Sequence, residues 1–119
     1  MNVLKRELRY KKCFSYDVED TIKNIMKVDK VTQRELSNRV NLSERTIRRY
    51  LNKEVTITKV VLGLICVGLE LSIQTTMELF KNAGIELRLI EEDIIIFNVF
   101  LKEKSVEKIY ALRKMIQIE

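Results

Sequence analysis

The chain has no proline, no histidine and no tryptophan, and only three glycines and two cysteines in 119 residues. The missing proline and the scarce glycine argue against a turn-rich β fold and favour helices. Without histidine, and with Cys13 and Cys66 as the only thiols, no ligand spacing for zinc exists. No nucleophile–base arrangement, phosphate-cradling glycine loop or metal cluster is visible, so the chain reads as a non-enzyme with no catalytic residue, metal or cofactor. Cys66 lies in an apolar run and reads as a core residue, and nothing suggests export to a compartment where disulfides form. No hydrophobic stretch reaches transmembrane length and the N-terminus is charged rather than signal-like, so the expectation is a cytoplasmic protein with no membrane contact.

An apolar content of 46% supports a real core, and the length suits one compact domain. The net charge is +5, unevenly spread. Residues 1–57 carry 14 Lys and Arg against 8 Asp and Glu, whereas residues 58–119 carry 8 against 9. The positive field therefore belongs to the first half of the chain.

That half contains the most specific pattern, Gln33 to Asn52. Thr32 and Glu35 have the spacing of a capping box that starts a helix. Leu36 and Val40 share one face, with the small Ser37 beside them. Asn41 falls where the chain must turn, and asparagine tolerates a left-handed backbone. Leu42 can plug the corner, and Ser43 caps a second helix beginning at Glu44. Ile47, Tyr50 and Leu51 give that helix a buried stripe. Glu44, Arg45, Arg48 and Arg49 remain outside. Two short helices at a tight turn, the second with an arginine-rich outer face, have the layout of a helix-turn-helix. An arginine fork suits guanine O6 and N7 or a phosphate, and a carboxylate at the helix start suits a cytosine amino group.

The segment resembles the helix-turn-helix of the phage-repressor-like (Cro/CI, XRE) family, over about residues 17–84. The resemblance implies an all-α fold, a five-helix repressor-like DNA-binding domain. It implies that Gln33 touches a phosphate, that Glu44, Arg45 and Arg49 face base edges, and that Asn52 contacts the backbone. The expected DNA-facing set is Gln33, Arg34, Ser43, Glu44, Arg45, Thr46, Arg48, Arg49, Asn52 and Lys53, with Arg34, Arg39, Arg48 and Lys53 supplying phosphate contacts. The chain departs from the family at Asn41 and Lys53, where glycine is common.

The rest organises around this motif. Residues 1–14 form a basic N-terminal arm, with Lys5, Arg6, Arg9, Lys11 and Lys12 against Glu7. The arm either touches DNA or is a solvated end, and Leu4, Leu8, Tyr10 and Phe14 suggest docking on the body. Residues 15–84 form the DNA-binding domain. Its first helix spans 16–28 with a stripe of Val18, Ile22, Ile25 and Met26. A buried helix spans 57–69, capped by Thr56 or Thr58, with Gly63 and Gly68 permitting close packing. A fifth helix capped by Ser72 turns Ile73, Met77 and Phe80 inward and stops near Gly84.

Residues 85–119 form a helical extension. Ile94 to Leu101 is apolar on nearly every side, and Ser105 begins a last helix. So much apolar surface calls for self-association or for folding back on the body. The expected partners are double-stranded DNA and a second copy of the chain. The alternative is a protein-interaction module, or the antitoxin half of a toxin–antitoxin pair, with a toxin or effector protein as partner.

Overall fold

The computed structural model describes residues 8–86. They contain five helices: α1 (Val18–Asp29), α2 (Gln33–Val40), α3 (Glu44–Leu51), α4 (Lys59–Gly68) and α5 (Ile73–Asn82), with a further helical turn at 8–11. No strand occurs among the described residues, and the fold is all-α as expected. The expected helices in 91–101 and after Ser105, and the arm residues 1–7, lie outside the described residues.

Each helix starts where a side chain or a charge prepares it. Thr32, Ser43, Thr58 and Ser72 each accept a hydrogen bond from the backbone N–H three residues on. Glu35 completes the capping box, its carboxylate accepting from the Thr32 N–H at 3.2 Å. For α1, Asp17 stands at the N-cap but its side chain makes no cap bond.

The helices also stop in one way. A residue with positive φ follows each of them: Lys30, Asn41, Lys53, Glu70 and Gly84. In each case the next N–H reaches back five residues, as in Leu42 to the Ser37 carbonyl and Ile85 to that of Phe80. This Schellman-type closure satisfies carbonyls that the helix end leaves open.

α4 is the buried centre: all residues from Val60 to Gly68 are buried. It packs on α2 and α5, while α1 packs on α3 and α5. Gly68 permits a close approach to α2, because a Cβ there would meet Val40 Cγ1 at 2.6 Å. The apolar stripes expected on α1, α2 and α3 are all buried.

α5 corrects the expected orientation. Ile73 and Met77 are 45% and 48% exposed, and the inward face is Thr75, Thr76, Leu79 and Phe80. Phe80 is inward as expected, but Ile73 and Met77 are not, and the core lies on the side of the helix that carries 75, 76 and 79. Two threonines occupy that side, and a reading that follows the large apolar residues passes over them.

The described part of the N-terminal arm is docked. Tyr10 and Cys13 are buried, while Leu8 is exposed. The Tyr10 hydroxyl donates to Asp29, Arg9 pairs with the same carboxylate at 3.4 Å, and Asn24 donates to the Cys13 carbonyl at 2.9 Å. At the other end of α1, Thr21 donates to Asn82 at 2.8 Å and fastens α5.

Candidate nucleic-acid interface

Ser37 lies on the first of the two motif helices, which pack directly on one another. It is 4% exposed, and its hydroxyl donates to the Arg34 carbonyl at 2.7 Å, so a buried polar atom is satisfied within its own helix. Asn41 then takes φ 56° and reverses the chain. Ser43 holds the start of α3, accepting from the Thr46 N–H at 3.0 Å and donating to its hydroxyl at 2.8 Å. Ile47, Tyr50 and Leu51 anchor α3 in the core. With that stripe buried, Glu44, Arg45, Arg48 and Arg49 are left exposed and Thr46 half-buried.

Arg45 and Arg49 are four residues apart and share one face of α3, with Arg48 adjacent. Arg34 is exposed near the start of α2, and Gln33, its first residue, is half-buried. Among the described residues, Arg34, Arg45, Arg48 and Arg49 have no acidic partner. Four guanidinium groups on two adjoining helices thus face outward without compensation. Uncompensated forks of this kind favour phosphate and base acceptors.

Other cations are engaged inside the protein. Arg39, expected at a phosphate, donates to the Gly68 carbonyl at 3.0 Å and places positive charge at the C-terminus of α4. Lys53 follows α3 with φ 64° and reaches Asp17 at 2.6 Å and Asp20 at 3.5 Å. The hydrogen bond to Asp17 holds the Lys53 ammonium above its ordinary 10.5. Asn52, the C-cap of α3, is exposed beside it. The part played by Asp17 and Asp20 was not visible in sequence, because 36 and 33 positions separate them from Lys53.

Thiol and metal-ligand chemistry in the described region is limited. The region's free thiols, Cys13 and Cys66, are both buried, and no group of His, Cys, Asp or Glu there could hold a metal ion. Burial pushes the Cys66 thiol up to about 12. No helix among the described residues is long and apolar enough to cross a membrane.

No curated protein and no solved structure matches the chain. The family model of the Cro/C1-type HTH DNA-binding domain does match it, over residues 21–82, which span the second turn of α1 to the end of α5 and include the whole arginine-bearing motif. The chain belongs to the Cro/C1-type helix-turn-helix DNA-binding family.

Proposed function

We propose that the protein is a sequence-specific transcriptional regulator, repressor-like, that reads the major groove with residues 44–52. The observation that carries this reading is the uncompensated arginine face of α3, held outward by the burial of Ile47, Tyr50 and Leu51. Arg45 and Arg49 read base edges, with Glu44 and Thr46 at the start of the same helix. Gln33, Arg34, Ser43, Arg48 and Asn52 set the docking on the backbone.

The regulator acts as a homodimer on a roughly palindromic site, with two reading helices about 34 Å apart. Supporting this, Ile73 and Met77 stand one turn apart on α5, both about half exposed, and Met77 lines an open groove with Phe80 and Ile85. The sequence from Ile94 to Leu101 is also apolar at nearly every position. The same exposed face supports a second reading, in which a protein partner such as a toxin or effector covers it.

Gel shift of a random-sequence duplex across a salt series tests DNA binding: affinity should fall steeply as salt rises. Selection from a random DNA pool should return a half-site repeated with two-fold symmetry. Sedimentation should show a dimer without DNA, and deleting residues 90–119 should leave a mostly monomeric domain with much weaker operator binding. Salt-insensitive or absent binding would leave the protein-interaction reading in its place.

A further inference from the structure

Asp17 is placed where an aspartate ordinarily caps its own helix, yet its carboxylate makes no cap bond to α1. It is turned to Lys53 Nζ instead, at 2.6 Å, and Asp20 in the first turn of α1 adds a second oxygen at 3.5 Å. Lys53 is itself at a backbone position that favours glycine, with φ 64°. Two local preferences are thus given up at one contact. The contact joins the residue just past the reading helix to the start of α1. It is exposed at both ends, so it is open to exchange with another anion.

We propose that Asp17, assisted by Asp20, is a positioning residue for DNA binding: it holds the Lys53 ammonium on the protein, and phosphate must displace the carboxylate before Lys53 joins the interface. This rests on the DNA-binding reading above and goes beyond it by assigning a role to two acidic residues. A lysine just past a reading helix stands beside the duplex backbone, and phosphate and carboxylate compete for one ammonium. The acids therefore weaken binding in two ways. They repel phosphate, and they hold back the cation that would otherwise meet it. Only the second effect depends on Lys53.

That dependence is what an experiment can read. The full chain would be compared as wild type, Asp17→Asn/Asp20→Asn, Lys53→Gln and the triple variant. Binding to a labelled random-sequence duplex would be followed by anisotropy across a salt series, with thermal melting of each protein. The Asn pair should bind several-fold tighter while melting no higher than wild type, so a stability change cannot be the cause. Lys53→Gln should cost several-fold more affinity in the Asn background than in wild type. It should also lower the log–log salt slope by about one in that background and by less in wild type. Lys53→Arg in wild type should keep both bridge and affinity. Equal losses from Lys53→Gln in the two backgrounds would overturn the positioning role while leaving DNA binding intact. A wild type that shows no salt-dependent binding would overturn the DNA reading itself.

Discussion

Gly68 lies so close to Val40 that a Cβ at position 68 would stand 2.6 Å from Val40 Cγ1 and 2.8 Å from Leu36 Cδ1. Leu36 can swing its tip away, but a β-branched valine in a helix has essentially one rotamer. The contact sets how α4 sits against α2, the first motif helix. Gly68→Ala should therefore cost about 1–3 kcal/mol through overpacking, even though alanine is the better helix former. Urea denaturation checks this; a stability equal to or above wild type would show that α2 can yield.

The same reasoning applies between the two motif helices. Ser37 is buried on the face of α2 that also carries Leu36 and Val40, and α2 packs directly on α3. Ser37→Leu should destabilise by about 1–3 kcal/mol and abolish DNA binding by splaying the pair. Unchanged melting and unchanged affinity together would contradict this packing.

Much of this is legible in the sequence. Caps at Thr32, Ser43 and Ser72 depend on residues three apart, and the stripes of α1 to α3 follow from helical period, so local sequence determines both. What escaped depends on distant partners. Nothing near Arg39 announces that it meets the Gly68 carbonyl, and nothing near Lys53 announces Asp17. The rotation of α5 escaped because the core prefers Thr75 and Thr76 to Ile73 and Met77. Helix stops were half legible. Asn41 and Gly84 signal a left-handed residue, whereas Lys30 and Glu70 adopt the same backbone without the usual residue type.

Those last positions carry a cost that substitution can recover. Glu70 has φ 55°, a conformation that disfavours any residue with a Cβ by about 1–2 kcal/mol. Glu70→Gly should therefore stabilise the domain by about 1 kcal/mol, net of the extra freedom glycine has when unfolded. Gly84→Ala should lose a similar amount from backbone strain alone, since nothing lies within 4 Å of a Cβ there. Opposite shifts in the denaturation midpoint are the expected result.

At the interface, Arg45→Ala or Arg49→Ala should weaken specific binding by about 1–3 kcal/mol and relax preference at one or two base pairs. Both side chains are exposed, so melting should be nearly unchanged. Arg39→Ala should behave in the opposite way, losing stability through its bond to Gly68 and little sequence preference. If Arg45→Ala and Arg49→Ala both keep the wild-type site preference, another face of α3 does the reading.

Cys66 gives stability a dependence on pH whose sign is fixed by burial. Desolvation raises the folded thiol to about 12 from an ordinary 9.0, opposed by a smaller contribution from the Thr76 hydrogen bond. Below 9.0 the thiol is protonated in both states, and its effect on folding is constant. Above it the unfolded chain releases a proton that the folded chain keeps. The folded state then binds more protons, and stability must fall as pH rises, by at most about 1.4 kcal/mol per unit from this group. The loss continues until the folded thiol also ionises, near 12. Cys13 is raised as well, chiefly by burial, and adds a contribution of the same sign. Urea unfolding of wild type and Cys66→Ala at several values above pH 9 separates the two. The alanine variant should start less stable, because it leaves a cavity, but should decline less steeply with pH. In parallel, a thiol reagent should modify Cys66 only at the rate of unfolding. Parallel pH slopes for the two proteins, or rapid modification of folded Cys66, would show that the thiol ionises in place.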